Sequence, residues 1–219
     1  VITTGDEIVE PTEVPAPAQI RNSNGHQLCA QVTRAGAVAT YYGVVIDTVE
    51  ALDETVRQAA AECDVLLLSG GVSMGDFDLV PGVLKQNGFN LLFEKVAVKP
   101  GRPTVFGVSE DAYCFGLPGN PVSTFVIFEL LVRPFLESLM GRDTPARAWP
   151  MRLASPVRAR NTGRTTWIPV AITATNGVEP ISYHGSGHLN ALVHADGLIC
   201  LPPGIDELAE GATVDVRPI

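Results

Sequence analysis

Residues 69–78 carry the densest set of side chains suited to chemistry, with the sequence SGGVSMGDFD. Glycine permits positive φ and close approach of a ligand, so backbone N–H groups in such a turn can face phosphate or another oxyanion. The two carboxylates, Asp76 and Asp78, would repel an anion unless a cation such as Mg²⁺ bridges the phosphate oxygens. We therefore predict an anion-binding turn; a plain glycine-rich connection is the alternative. Its predicted binding residues are Ser69, Gly70, Gly71, Ser73, Gly75 and Asp76.

Carboxylates also follow two other predicted strands. Asp6 and Glu7 come after a short strand at the start of the chain, and Asp47 follows a β-branched and aromatic run at residues 37–45. Ligands of parallel sheets collect beyond the carboxyl ends of the strands, so these side chains are expected beside the glycine-rich turn. The competing interpretation is that surface loops simply favour aspartate.

Cations are concentrated near one further predicted strand, at residues 91–98. Lys95 and Lys99 are four positions apart, so a strand with a period of two places them on one face. Arg102 follows within a Pro/Gly turn and adds a guanidinium suited to phosphate. This pattern indicates a polyanion site, and a solvated strand end with two extended lysines is the alternative.

A second candidate for anion binding is the start of a helix predicted at residues 121–140. Asn120 is suited to the N-cap and Pro121 to the first helical position. The free N–H groups of this terminus, with Ser123 in the first turn, could receive an anion. The same residues would also serve a helix that is only well capped.

These positions require an α/β fold: strands alternate with helices and are apolar throughout, which indicates a mostly parallel sheet with helices on both faces. From Trp149 onward the chain changes to short β runs separated by turns such as Asn176-Gly177. We predict an α/β domain at residues 1–144 and a small β-rich, β-barrel-like domain at residues 145–219.

Composition excludes several classes of function. The net charge is −9 and no block of basic residues occurs, which argues against nucleic acid as a partner. The most apolar helical run, residues 125–132, is too short to span a bilayer, so no membrane partner is expected. Four widely spaced cysteines without a CxxC pair indicate a reduced, cytoplasmic protein. The chain starts at Val1 within a strand, which we interpret as a fragment of a longer protein.

A zinc site in the second domain is conceivable because it holds three of the four histidines. No cysteine or carboxylate lies at ligand spacing, so metal binding there is disfavoured. The three histidines are His184, His188 and His194.

Taken together, the motifs resemble the molybdopterin molybdenumtransferase family, the MoeA/gephyrin E-domain group, over essentially the whole chain. The segments that carry the resemblance are Thr4-Gly5-Asp6-Glu7, Asn22-Ser23-Asn24-Gly25, residues 69–78, Val98-Lys99-Pro100-Gly101-Arg102-Pro103 and Gly116-Leu117-Pro118-Gly119-Asn120-Pro121-Val122-Ser123. The resemblance implies a molybdopterin-binding, MogA-like first domain and the family's C-terminal domain. Two departures are Arg102, where the family usually has lysine, and Asp47-Thr48, which replaces a more usual acidic pair.

By resemblance, the reaction is insertion of molybdate into adenylylated molybdopterin with Mg²⁺-dependent release of AMP, in a homodimer whose site draws on both subunits. The implied catalytic residues are Glu7, Asp47, Asp78, Lys95 and Lys99, of which the three carboxylates are also the candidates for metal binding. Besides the turn at residues 69–78, the implied substrate-binding residues are Gly5, Asp6, Pro100, Gly101, Arg102, Pro118, Gly119, Asn120, Pro121, Ser123 and Ser186.

Two alternatives compete with this reading. A molybdopterin adenylyltransferase or a CinA-like enzyme is similar in fold but generally has Gly-Gly-Thr-Gly after the strand, where this chain has Gly70-Gly71-Val72-Ser73. A non-catalytic molybdopterin-binding or scaffold module is the other alternative, and the carboxylates and lysines favour chemistry over it.

Overall fold

The chain folds into two compact units. The structure, a computed structural model, describes residues 1–72, 79–142, 147–158, 163–182, 185 and 187–219. Unit 1 comprises Val1–Val96 and Gly101–Met140, and unit 2 comprises Ala97–Pro100 and Gly141–Ile219. A four-residue segment in the middle of the sequence therefore belongs to the C-terminal unit.

The elements of the described chain are short strands and medium-length helices. The strands are β1 (Ile2–Thr4), β2 (Ile8–Val9), β3 (Ile20–Arg21), β4 (Val44–Val45), β5 (Val65–Ser69), β6 (Asn90–Phe93), β7 (Val98–Lys99), β8 (Val105–Val108), β9 (Tyr113–Leu117), β10 (Trp149–Leu153), β11 (Val157–Arg158), β12 (Thr165–Ile172), β13 (Gly177–Pro180), β14 (Gly197–Leu201), β15 (Glu207–Leu208) and β16 (Thr213–Pro218). The helices are α1 (Asn24–Arg34), α2 (Val49–Glu62), α3 (Leu79–Gln86), α4 (Pro121–Ile127), a π-helical turn (Phe128–Val132), α5 (Arg133–Leu139) and a 3₁₀ helix (Leu189–His194).

Unit 1 is built on a six-stranded sheet with the order β4-β1-β5-β9-β8-β6. The pairs from β4 to β9 are parallel, and β8 is antiparallel to both of its neighbours. The predicted mostly parallel sheet is therefore confirmed. Parallel order brings the carboxyl ends of β4, β1, β5 and β9 to one edge, which is where ligands of such sheets bind.

Helices cover both faces of this sheet, as predicted. On one face, Leu66 and Leu68 of β5 are buried in a core with α2 and α3. On the other face, Phe115 of β9 contacts Phe135 of α5, with ring centroids 5.3 Å apart. A fully buried leucine contributes about 1.5–3 kcal/mol, so apolar burial on two faces holds the strands and fixes where their ends lie.

Unit 2 contains a closed barrel of five strands, which confirms the β-barrel-like prediction. The strands follow the order β13-β10-β16-β14-β12, and a further pairing between β12 and β13 closes the ring. Val170, Val178, Ile199 and Val216 are fully buried in its core. Closure leaves no unpaired edge within the ring, and β7 adds to β12 through Val98 and Lys99.

Two predicted strands are wrong in extent. The strand expected at residues 91–98 is divided between β6 in the sheet of unit 1 and β7 in the barrel of unit 2. Lys95 and Lys99 therefore do not share one strand face. The strand expected at residues 37–45 is reduced to β4; the residues before it make isolated backbone hydrogen bonds, such as that from the Tyr42 N–H to the Val1 carbonyl at 3.0 Å.

The helix predicted at residues 121–140 is confirmed in extent but not in its buried face. A π-helical turn at Phe128–Val132 interrupts the α-helical repeat, and the extra residue rotates every later side chain around the axis. The spacing of the apolar residues from Phe125 to Leu139 predicts one buried stripe that includes Leu139, yet Leu139 is 47% exposed whereas Leu136 is buried. No helix of the described residues is long and apolar enough to cross a membrane.

Candidate active site

Two glycines that follow β5 allow the chain to turn tightly against the end of β1. Gly70 has φ of +102°, and a Cβ placed there would lie 2.3 Å from the carbonyl oxygen of Thr4. Gly71 has φ of +60°, and its Cβ would lie 2.8 Å from a methyl group of Val80. Larger residues do not fit either position, so the two glycines permit the tight turn after β5 that the sequence predicts.

Thr4 joins this turn to a pair of carboxylates. Its hydroxyl donates a hydrogen bond to the carboxylate of half-buried Asp47, 43 positions along the chain. The backbone N–H of Asp47 in turn donates to Oδ1 of exposed Asp6, at 3.1 Å. Glu7 is exposed beside them, and Gly5 is buried with φ of +151°. The structure thus brings two of the predicted carboxylates together at the ends of β1 and β4.

The turn after β9 lies against the turn after β5. A Cβ at Gly119 would be 3.8 Å from Cα of Gly70, and the Gly70 N–H donates to the Leu117 carbonyl at 3.2 Å. The carbonyl of Pro118 accepts a hydrogen bond from the hydroxyl of Thr124 in α4. Strand ends that are well separated in sequence thus form one continuous edge.

The start of α4 is as predicted from its sequence. Asn120 is the exposed N-cap residue, in the extended conformation, with Pro121 next to it. The Asn120 side chain makes no capping hydrogen bond, so it can contact another group. Ser123 is buried in the first turn.

Asn24 is a polar residue at this edge of the sheet that was not among the predicted site residues. It is the first residue of α1 and is 7% exposed. Its Nδ2 donates to Oγ of Ser69 and to the carbonyl oxygen of Gly119, each at 2.7 Å. The sequence does contain a signal for this role. One helix N-cap needs a single asparagine, whereas Asn22-Ser23-Asn24 supplies two.

The predicted cationic residues are divided between the units. Lys95 and Arg102 lie in unit 1 and are exposed. Gly101, also in unit 1, is buried, and a Cβ placed there would lie 2.3 Å from Cγ1 of Ile127. Half-buried Lys99 and Pro100 lie in unit 2.

Six residues of interest lie outside the described residues: Ser73, Gly75, Asp76, Asp78, His184 and Ser186. Among the residues that the structure describes, no three histidine, cysteine, aspartate or glutamate side chains converge as a metal site. Mg²⁺ is commonly held by one or two carboxylates together with substrate phosphates. The carboxylates of Asp6 and Asp47, with oxygen donors only, fit that mode of binding.

A separate cavity of about 650 Å³ lies at the opposite edge of the sheet of unit 1. Among the residues that line it, Val1, Val65 and Tyr113 stand at the amino ends of three strands. Ligands of parallel sheets bind at the carboxyl ends instead, so the site is assigned by its side chains and not by the size of this cavity.

Comparison with known families identifies two successive family domains in the chain. Residues 1–138 match the family described as a probable molybdopterin binding domain, and residues 151–219 match the MoeA C-terminal region, domain IV. The chain belongs to the MoeA family. The resemblance seen in the motifs is confirmed by these two matches in the expected order.

Two curated relatives carry the name molybdopterin molybdenumtransferase. The chain is 32% identical over 219 residues to the molybdopterin molybdenumtransferase of Bacillus subtilis, covering 99% of this chain and 51% of that protein. The enzyme of the same name from Staphylococcus epidermidis is 35% identical over 226 residues, covering 99% and 52%. The chain therefore spans about half the length of the curated relatives it matches.

Solved structures show the same fold. The molybdopterin biosynthesis MoeA protein from Pyrococcus horikoshii superposes with a TM-score of 0.86 at 33% identity. That match covers 99% of this chain and 53% of the other. The MoeA fold thus accounts for both units described above.

Proposed function

We propose that this MoeA-family chain takes part in molybdenum cofactor biosynthesis by binding adenylylated molybdopterin, inserting molybdate and releasing AMP. The observation that carries the proposal is the position of Thr4. Its carbonyl oxygen closes on the Gly70 turn and its hydroxyl binds Asp47, so an anion cradle and a carboxylate cluster share one residue. A nucleotide with a phosphate linkage requires both features together.

In this proposal the backbone of the glycine turn binds phosphate oxygens, and Lys95, Lys99 and Arg102 offset the charge of the nucleotide and of molybdate. Glu7, Asp47 and Asp78 hold Mg²⁺ or transfer protons. When bound, Mg²⁺ neutralises charge on the phosphate oxygens. The Thr4 hydroxyl bonds one oxygen of the Asp47 carboxylate, which leaves the other oxygen as the candidate for binding the ion.

We also propose that the active form is a cytoplasmic homodimer.

Two other functions make different predictions. A binding module without turnover would retain affinity for the pterin nucleotide and release no AMP. An adenylyltransferase is disfavoured, since residues 151–219 match the MoeA C-terminal region.

The test is Asp47→Asn in the complete gene product, because this change removes the charge and keeps an acceptor for Thr4. We expect molybdate-dependent AMP release to fall by about 10²-fold or more, the usual loss when a proton-transfer group is removed. Binding of adenylylated molybdopterin, followed by calorimetry, should be nearly unchanged.

Thr4→Val is the matched control, since it removes only the hydroxyl donor and keeps the shape of the side chain. Its loss of rate should be smaller, about tenfold, because the carboxylate keeps its charge and only one hydrogen bond to a charged group, about 1.5 kcal/mol, is removed. AMP release by Asp47→Asn at the wild-type rate would refute the catalytic role of this carboxylate. If the wild-type protein itself bound the pterin nucleotide but released no AMP, the non-catalytic module would be favoured.

A further inference from the structure

Asn24 connects three segments that are far apart in sequence. Its side-chain amide reaches Ser69, 45 positions away at the end of β5, and Gly119, 95 positions away after β9. Both hydrogen bonds are 2.7 Å long and buried or partly buried. Because Asn24 begins α1, one planar group fixes a helix, a strand end and a turn relative to one another.

The orientation of this amide is determined by its partners. The Gly119 carbonyl can only accept a hydrogen bond, so the Asn24 atom beside it must be the NH₂ group. The oxygen Oδ1 is then directed elsewhere, and among the described residues this buried atom has no hydrogen-bond partner. Leaving a buried acceptor unpaired costs about 1–3 kcal/mol, and none of the described residues supplies the donor that this oxygen needs.

The two turns held by Asn24 are those that form the proposed nucleotide site. Gly119 lies against Gly70, and Gly70 bounds the anion-binding turn. A loss of the Asn24 amide would release the Gly119 carbonyl and the Ser69 hydroxyl together, so the separation of the two turns would no longer be fixed. Small errors in the position of such groups weaken ligand binding strongly.

We propose that Asn24 is a positioning and binding residue for the pterin nucleotide. Its NH₂ group sets the spacing of the two glycine turns, and its Oδ1 accepts a hydrogen bond from an amino or hydroxyl group of the nucleotide. This inference rests on the proposed function, because it requires a nucleotide between those turns. The donors that fit the chemistry are an exocyclic amino group of a heterocycle and a ribose hydroxyl.

The experiment measures the Kd of AMP by calorimetry for the wild-type chain and for Asn24→Leu, which keeps the number and branching of the side-chain heavy atoms without the amide. We expect the Kd to rise about tenfold or more, which corresponds to about 1.4 kcal/mol. Binding is measured well below the unfolding midpoint, so a change in stability alone does not alter it. Asn24→Ser serves if the leucine variant does not fold, with a rise in Kd of the same sign.

Gln27→Leu is the matched control on the same helix. Gln27 also has a buried carbonyl oxygen without a partner among the described residues, but its NH₂ group bonds only Gln31 and Pro121. Its AMP affinity should stay within about twofold of the wild type, a difference of about 0.4 kcal/mol. An unchanged Kd in a folded Asn24 variant, or an equal rise in Gln27→Leu, would overturn the inference. Failure of the wild-type chain to bind AMP would instead refute the proposed function, and this inference with it.

Discussion

Gly70 is a position at which both the turn and its backbone neighbour exclude any residue with a Cβ. We predict that Gly70→Ala destabilises unit 1 through two separate effects. The first is conformational, because φ is +102° there and a left-handed backbone costs about 1–2 kcal/mol for a residue with a Cβ. The second is steric, because the new Cβ would lie 2.3 Å from the Thr4 carbonyl oxygen.

The steric part follows from the geometry of β1 and β5. To reach even 3.0 Å, the Thr4 carbonyl must move 0.7 Å relative to the new methyl group, the difference between 3.0 and 2.3 Å. That carbonyl belongs to a strand end that also binds Asp47, so it cannot rotate away as a flexible side chain would. Overpacking of this kind costs about 1–3 kcal/mol, and the total for Gly70→Ala is about 2–5 kcal/mol.

Gly88→Ala is the control that separates the two effects. Gly88 has φ of +81°, and a Cβ there would meet nothing within 4 Å, so only the conformational cost of about 1–2 kcal/mol applies. In a protein of this size 1 kcal/mol lowers the Tm by about 2–4 °C. Thermal unfolding should therefore place the Tm of Gly70→Ala about 2–12 °C below that of Gly88→Ala. Equal Tm values for the two variants would show that the contact with Thr4 is not tight, contrary to the reasoning above.

Two further predictions concern charge and pH. Lys99→Ala should weaken binding of the pterin nucleotide more at low than at high ionic strength, because salt screens the attraction of a lysine to phosphate; calorimetry at two salt concentrations measures it. Burial raises the pKa of the Cys114 thiol to about 12 from a usual value of 9.0, so the folded state favours the neutral thiol. Its contribution to stability is complete below pH 9.0 and is lost as the pH rises toward about 12, with a slope of up to about 1.4 kcal/mol per pH unit.

Each of these two has its own control. Lys85, which pairs with Glu94 at 3.0 Å, is the control for charge, and Lys85→Ala should leave nucleotide affinity unchanged at both salt concentrations. A Lys99→Ala protein with wild-type affinity would make Lys99 a solvated surface residue. For Cys114, urea unfolding at pH 8 and pH 10.5 compares the wild type with Cys114→Ala. If both proteins lose the same stability between these pH values, the thiol does not contribute.

Much of the fold follows from local sequence. The apolar run before Ser69 forms a buried strand, and Asn120-Pro121 begins a helix where the N-cap and proline preferences place it. The glycines at positions 70 and 71 adopt positive φ, as expected of a turn that must approach another backbone. These features depend on a few neighbouring residues, and so sequence patterns identify them.

Other features depend on which strands become neighbours. The run at residues 91–98 has the β propensity of a single strand, yet its two ends pair in different sheets, with β8 and with β12. The lysine pair assigned to one strand face is lost for that reason. The π-helical turn at Phe128–Val132 likewise shifts the buried face of a correctly predicted helix.

The sequence by itself determined the chemistry of the site: a glycine turn, carboxylates at strand ends and a capped helix start, in an order typical of one family. Backbone preferences and side-chain types act over a few residues, so short stretches of sequence are enough to identify these features. Only the tertiary structure decided which groups meet. The Thr4 hydroxyl binds Asp47, and the Asn24 amide binds Ser69 and Gly119, because the order of strands in the sheet brings distant segments within hydrogen-bond distance.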